Sequence, residues 1–369
     1  MKSLTIRENL IALAAALIAT MLGFGTYFAT NAWVELGVIN NQKTGTALLN
    51  KVWPLTLAKA RGEDVAGFSN ITAEAYPAFS ICFTNAGKGK KDAPIKALYE
   101  VSTGKLADFS KCVLNTAQLM ETTDRGDMFL AESTAITVPL LTSRLQTMIN
   151  SGRKIQKKAT FNPFDRMMFL IHAGQFKVIG DNLSKATRTD FKLFDITIDE
   201  KLDKLAQTFR KVNGAYQGAA AKFSIALGSA QKGSDLKIKT VNERYDAFLT
   251  AIDALNQNLS QRLASRKTAQ ADTLKAKLTL ATLGMIVLIL AGVLLAIRIY
   301  NTIMSKISNL GEDIRAMVQT SDDHAVMGEL QVANYKCEIG QIARAVGYFR
   351  DAVVEHCLLY TSPSPRDRG

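Results

Sequence analysis

The chain has 369 residues, of which 47% are hydrophobic, and a formal net charge of +12 at pH 7. This length allows two or three domains, and the apolar content excludes an intrinsically disordered chain. Because only 7 prolines and 24 glycines are present, a β-rich or low-complexity chain is disfavoured, and we expect an all-α protein.

An uncharged apolar run follows the first eight residues. It covers 9–34, is centred on LIALAAALIATMLGFGTYFA, and ends near Trp33, where an aromatic residue at a membrane interface is expected. We interpret it as a transmembrane helix with a cytoplasmic N-terminus, because Lys2 and Arg7 precede it. A cleavable signal peptide is the alternative, since small residues lie just before Trp33.

The segment 35–277 shows the periodicity of amphipathic helices. One helix is marked by Ile95, Leu98, Val101, Phe109, Val113 and Ala117. A second follows two interleaved heptad series, Ile198, Leu205, Val212, Ala219, Ala226 and Leu202, Phe209, Tyr216, Phe223, Ala230. A third is marked by Val241, Tyr245, Phe248, Ile252, Leu255 and Leu259. Such spacing predicts a helical bundle, and between Phe161 and Asp190 we expect two helices or one bent helix that begins at Pro163.

A second apolar run, Leu278 to Ile297, contains neither charge nor proline. As a helix it would be about 30 Å long, which matches the hydrocarbon core of a bilayer. We interpret it as a second transmembrane helix, and a buried core helix is the alternative. Nothing breaks the preceding helix before Leu278, so we expect that helix to continue into the membrane.

Two short amphipathic segments joined by a polar connector follow within 298–353. Their apolar residues recur at steps of four and three: Ile303, Ile307, Leu310, Ile314, Met317, then Ile339, Ile342, Val346, Phe349, Val353. This spacing suits a small helical bundle built by two chains. An ordinary juxtamembrane coiled coil is the alternative.

The segment from Ile299 to Phe349 resembles a HAMP signal-relay domain. Its most specific part is the Glu-Ile-Gly step at 338–340, and two residues depart from the family pattern, Lys306 in place of proline and Cys337 in place of aspartate. The resemblance implies that signal relay involves Ile303, Ile307, Leu310, Gly328, Glu338, Ile339, Gly340, Ile342, Val346 and Phe349.

The order of segments resembles the N-terminal part of a bacterial transmembrane receptor of the methyl-accepting chemotaxis type. This resemblance implies a homodimer in the inner membrane, with a periplasmic sensor domain over 35–277 and an output domain that contacts cytoplasmic signalling partners. A sensor histidine kinase or a cyclase is an alternative, because these proteins use related HAMP sequences, and a non-signalling two-span structural protein is another.

The last residues, 357–369, abandon the heptad pattern and contain two prolines. We expect this tail to be non-native and the output domain to be missing. The native gene beyond Glu355 would separate the alternatives: long heptads indicate a chemoreceptor, a phosphorylatable histidine indicates a kinase, and a stop codon excludes both.

No catalytic motif is recognisable. The chain contains no Gly-rich phosphate loop, HExxH, GxSxG or CxxC sequence, and His172, His324 and His356 lie far apart. We therefore expect neither enzymatic activity nor a cofactor or metal.

The positive charge is concentrated between the two apolar runs. Residues 34–278 contain 35 Lys+Arg and 23 Asp+Glu, an excess of +12, which leaves 10 of each sign for the rest of the chain. Because these charges are exported, we exclude nucleic acid as a partner and expect a small anionic ligand. The planar guanidinium fork matches carboxylate and nitrate geometry, so the candidate ligand-binding residues are arginines among apolar helical residues, namely Arg61, Arg125, Arg166 and Arg188.

Other roles remain open for the charged and sulfur-containing side chains. Salt bridges to Glu63, Asp127 or Asp165 are the alternative role for these arginines. The basic cluster of Arg262, Arg266 and Lys267 is interpreted as a solvated helix face. Cys82 and Cys112, the only cysteines in the exported segment, form either a disulfide or two free buried thiols.

Overall fold

The computed structural model describes residues 6–87, 98–122, 124–194, 196, 198–230, 232–319, 341–342, 344–349 and 352. These residues are mostly helical and include no β-strand, as expected for an all-α protein. The helices are α1 (Ile6–Arg61), α2 (Ser80–Gly87), α3 (Thr103–Thr116), α4 (Arg125–Glu132), α5 (Val138–Gln156), α6 (Pro163–Leu193), α7 (Glu200–Ser229) and α8 (Lys239–Gln319). One turn of π-helix, Ser133–Thr137, joins α4 to α5.

The chain divides into two compact units. The central unit is Thr30–Leu278, and the flanking unit consists of the chain on both sides of it. Both α1 and α8 contribute residues to each unit, and the two units are described separately below.

In the central unit, α1 and α8 pack antiparallel. The Trp53 indole donates to Asp253 at 2.8 Å, and the Tyr245 hydroxyl donates to the Ala60 carbonyl at 2.7 Å. Residue numbers therefore increase along α1 in the direction in which they decrease along α8. Helix α5 packs on α3 and α6, and α6 also packs on α7. An aromatic cluster of Phe176, Tyr216 and Phe248 joins α6, α7 and α8, with ring centroids 5.3 to 5.6 Å apart.

Local sequence explains where several helices begin. Asn162 and Asp165 bond reciprocally to each other's backbone N–H groups, which forms a capping box around Pro163 at the start of α6. The Asp199 carboxylate accepts from the Leu202 N–H at 2.8 Å and caps α7. That N–H, helped by the nearby Arg262, holds the pKa of Asp199 below its usual value.

The structure contains the helices that the apolar periodicity predicted, and two of them can now be given more exact bounds. The helix expected from Ile95 begins only at Thr103, because Leu98–Glu100 form a 3₁₀ turn and the Ser102 hydroxyl caps the N-terminus of α3. Residues 163–193 form one helix, which settles the choice left open for that segment.

In α7, the series Leu202, Phe209, Tyr216, Phe223 is buried as predicted. Its buried companion series is Ala206, Asn213, Ala220, Leu227, whereas most of the predicted companion series is only half-buried.

In the flanking unit, α1 and α8 approach closely at Gly25, where an added Cβ would overlap the Met285 side chain. By length and composition, one helix among the described residues is able to cross a membrane: α8, whose most apolar window has a mean hydropathy of 2.8 and no buried residue. The first predicted span, 9–34, lies within α1, although the side chains of residues 9–14 and 17 are outside the described residues.

Candidate functional site

A cleft of about 400 Å³ lies in the central unit between α4, the π-helical turn and α6. This volume falls within the usual range for small-molecule sites. The lining residues are Met120, Arg125, Met128, Phe129, Glu132, Ser133, Thr137, Asn182, Leu183, Ala186 and Phe194.

Helix α4 supplies one wall of the cleft through a single face. Arg125, Met128, Phe129 and Glu132 occupy positions i, i+3, i+4 and i+7, which lie in one stripe along a helix. Asp124 fixes the start of this helix, because its carboxylate accepts from the Gly126 N–H at 2.7 Å. The stripe therefore presents a cation, two apolar side chains and an anion in that order.

The π-helical turn continues this wall. Its first and last residues, Ser133 and Thr137, both line the cleft. A π-helical turn inside a longer helix is rare and is frequently found at functional sites. The opposite wall belongs to α6, where Asn182 is exposed and Leu183 is buried.

Arg125 and Glu132 are both exposed in the cleft. Within the described part of the chain, neither side chain has a hydrogen bond or an ion pair. The apolar wall beside them is rigidified by aromatic contacts, since the Phe129 ring stacks on Phe194 at 5.4 Å and meets Phe191 edge-on at 5.5 Å.

A buried ionic cluster lies behind the cleft wall. Asp127, which is fully buried, is 2.9 Å from Lys267 Nζ and 3.4 Å from the Arg266 guanidinium. The Gln270 amide donates to the same carboxylate at 2.8 Å. A Cβ at Gly126 would lie 2.6 Å from the Phe194 backbone carbonyl oxygen and 2.7 Å from the Arg266 guanidinium, so a residue without a side chain is needed there. The cluster ties α4 directly to α8.

This cluster corrects two interpretations from the sequence. Lys267 is only 1% exposed, so it does not belong to a solvated helix face. Asp127 pairs with α8 and not with Arg125, its expected salt-bridge partner. A further sequence pattern could have identified Lys267 as buried, because it continues the core stripe of α8 between Leu263 and Ala271 at steps of four.

Of the four candidate arginines, Arg125 alone lines this cleft. Arg61 is 3.7 Å from Glu63, the alternative partner. Arg166 donates to the carbonyls of Gly228 at 3.1 Å and Ala230 at 2.6 Å, and its guanidinium lies 5.0 Å from the centre of the Phe161 ring. Asp165 pairs with Lys158 and not with Arg166. Arg188 is exposed on α6 and outside the cleft lining.

Sequence reasoning found Arg125 and missed the other lining residues. Apolar spacing does not connect the lining residues of α4 with those of the π-helical turn, because this turn shifts the helical phase between α4 and α5. The lining residues of α6 depend on which helix faces pack together. A search for opposite charges seven residues apart would have paired Arg125 with Glu132.

The structure joins Cys82 of α2 to Cys112 of α3 by a disulfide, with Cα atoms 5.5 Å apart. The rings of Phe83 and Phe109 pack edge-on beside it, 4.9 Å apart. Of the two states left open for these cysteines, the structure therefore has the bridged one.

The relay residues are only partly described. Ile303, Ile307 and Leu310 are half-buried on α8, whereas Ile342 and Phe349 are 55% and 72% exposed in the helical segment that follows. Val346 is half-buried in that segment. Gly328, Glu338, Ile339 and Gly340 lie outside the described residues.

Comparisons with protein-family models, with curated proteins and with solved structures give no match to this chain. The resemblance to HAMP-containing receptors therefore rests on the sequence alone. Function has to be inferred from the cleft, the buried ionic cluster and the long helix that passes both.

Proposed function

We propose that this chain is the sensory part of a dimeric transmembrane receptor of the methyl-accepting chemotaxis type. In this proposal the cleft binds a small anionic ligand in the periplasm, and α8 carries the effect of binding to a HAMP-like relay in the cytoplasm. The apolar runs of α1 and α8 are the two membrane spans.

The observation that carries the proposal is the continuity of α8. This helix has 81 residues, which correspond to about 120 Å. Its first part supplies buried core residues such as Tyr245 and Phe248, and its apolar run and the first relay segment follow without a break. A single helix with these three parts is suited to transmit a displacement along its axis.

The buried ionic cluster gives the cleft a direct connection to this helix. Asp127 lies two residues after Arg125 in α4, and its partners Arg266 and Lys267 belong to α8. Lys267 precedes the apolar run by about 16 Å along the helix. A shift of α4 on ligand binding would therefore act on α8 close to the membrane.

Arg125 supports an anionic ligand. Its guanidinium faces the cleft without an ion pair among the described residues, and arginine binds carboxylates through two parallel hydrogen bonds. The positive charge of the exported segment would raise the local concentration of anions.

Calorimetric titration of the full chain in lipid nanodiscs tests this site. The compounds are organic acids, nitrate, amino acids and organic cations. We expect saturable binding of an anion-containing compound that is weakened about tenfold or more by Arg125→Ala, since charge-assisted hydrogen bonds are lost.

The matched control is Arg188→Ala, which removes an exposed arginine outside the cleft lining. Equal loss of binding in both variants, or binding of cations alone, would show that the anion site is wrongly assigned.

A further inference from the structure

The cleft carries two opposite charges on the same helix face. Arg125 and Glu132 are separated by two turns, about 10.5 Å along the axis of α4. They are too far apart to form an ion pair with each other, and neither is neutralised by another described residue. The acidic residues nearest to Arg125 in sequence, Asp124 and Asp127, are engaged by Arg266 and Lys267 of α8.

This arrangement disfavours a purely anionic ligand with a long body. Such a ligand would pair with Arg125 but would bring its remaining length beside the carboxylate of Glu132. A purely cationic ligand would pair with Glu132 but would be repelled by the guanidinium of Arg125. A ligand with one charge of each sign would satisfy both ends of the stripe.

The two residues between the charges are apolar. Met128 and Phe129 lie one turn from Arg125 and one turn from Glu132, and both line the cleft. A short methylene chain that spans the two charges would pack on these side chains, and its apolar surface would be removed from contact with water.

We propose that the cleft binds a dipolar ligand with its charges at the two ends of a short aliphatic chain, as in an ω-amino acid. The anionic group pairs with Arg125, the ammonium group pairs with Glu132, and the methylene groups lie along Met128 and Phe129. This assignment rests on the proposed function and deepens it: the ligand keeps the anionic group that pairs with Arg125 and carries in addition an ammonium group at its other end.

Titration calorimetry of the full chain in nanodiscs tests the assignment with three matched compounds. 4-Aminobutanoate has separated charges, butanoate has the anion alone, and 2-aminobutanoate has adjacent charges on the same carbon skeleton. We expect 4-aminobutanoate to bind about fivefold or more tightly than either of the others, because only it satisfies both charged residues.

Charge removal then separates the two ends of the site. Glu132→Gln should abolish the preference for 4-aminobutanoate over butanoate, because the amide keeps the shape of the side chain but removes the charge that pairs with the ammonium group. Arg125→Gln should weaken both compounds. Glu100→Gln, which alters an exposed glutamate outside the cleft, is the control and should behave as the unmodified chain.

Each result of this experiment has a distinct meaning. Equal or tighter binding of butanoate, or equal binding of 2-aminobutanoate, overturns the dipolar assignment even if Glu132→Gln does not fold, and Arg125-dependent anion binding would then still support the broader proposal. Binding of these compounds that does not depend on Arg125 overturns both.

Discussion

Asp127 and Lys267 form an ion pair in the interior of the central unit, with side chains 0% and 1% exposed. Removing two charges from water is costly, so such a pair contributes little to stability when it is compared with two well-packed apolar residues. Removing one partner is different: without Asp127 the buried Lys267 has no counter-charge, and without Lys267 the buried Asp127 keeps only Arg266, at 3.4 Å, as a cationic partner. The pair is therefore more sensitive to single substitution than to joint replacement.

We predict that Asp127→Asn lowers the free energy of unfolding by about 3–5 kcal/mol, because Lys267 is then buried without a counter-charge. Lys267→Met should lower it by less, because Asp127 keeps its contact with Arg266. The double variant Asp127→Leu with Lys267→Met should recover most of this loss, because no charge is then left buried. Urea unfolding of the purified full chain, followed by circular dichroism, measures the three values.

Lys275→Met is the control for this prediction, since Lys275 is exposed on the same helix. A loss below about 1 kcal/mol in both single variants would contradict a buried ion pair at this position.

The pairing of α1 with α8 depends on polar contacts at the end of α1. Tyr245 of α8 is buried, and its hydroxyl donates to the Ala60 carbonyl at 2.7 Å. Burial raises the pKa of Tyr245 to about 12. In the unfolded chain this phenol ionises near its ordinary value of about 10. The neutral phenol is therefore favoured in the folded protein, and the pairing weakens in alkali.

We predict that stability falls as the pH rises from about 10 to about 12. Below the unfolded pKa the contribution of Tyr245 is fully present, and it is lost as the pH rises through the folded pKa of about 12. A shift of this size corresponds to about 2–3 kcal/mol. Thermal unfolding of the full chain at a series of alkaline pH values measures the loss.

Tyr245→Phe removes the ionisable group and should flatten this part of the pH profile, at the cost of the hydrogen bond to Ala60. Tyr300→Phe is the control at another tyrosine of α8. A profile that is unchanged by Tyr245→Phe would contradict the assignment of the alkaline loss to this residue.

Periodicity predicted the helices of the central unit well where one buried stripe continued without interruption. The six apolar residues named for the first part of α8, from Val241 to Leu259, are all buried. The periodicity of apolar residues did not predict the structure correctly where the helical phase changes or where a capping side chain sets the start of a helix. The Ser102 cap delays α3, and the π-helical turn after Glu132 rotates the following helix, so neither the start of α3 nor the cleft wall follows from the spacing of apolar residues.

The candidate site was less predictable than the helices, because it depends on which helix faces meet. Charge location and guanidinium geometry selected Arg125 together with three arginines that lie outside the cleft. Arg166 shows the difficulty: it lies among apolar residues in sequence, yet its guanidinium is committed to the carbonyls at the end of α7. Only the packing of distant segments separates these two arginines.

At the scale of the whole molecule, the proposed relay requires two chains. Ile342 and Phe349 are largely exposed within the described part of one chain. In a two-chain bundle these residues would face the seam and be covered by the second copy. Their exposure in a single chain is compatible with that arrangement.

We predict that cysteines placed at 303, 307, 342 and 346 crosslink two copies of the chain in membranes, because these positions would lie in the seams of the proposed bundle. Ser305→Cys and Ser308→Cys, which alter exposed positions of α8, should not crosslink. Cys337 and Cys357 are replaced by serine in all variants, and oxidised dimers are counted by gel electrophoresis. Uniform crosslinking at all positions would contradict a two-chain bundle.

Arg125 is the first residue of α4, and this position has an energetic consequence for the unliganded protein. The N-terminus of a helix carries a partial positive charge from its aligned peptide dipoles, so a cation there is unfavourable by about 0.3–1 kcal/mol. The Asp124 cap compensates only in part, because its carboxylate is shared with the Arg266 guanidinium, 3.4 Å away. An anion at Arg125 would relieve this repulsion, so ligand binding and the local stability of α4 are expected to rise together.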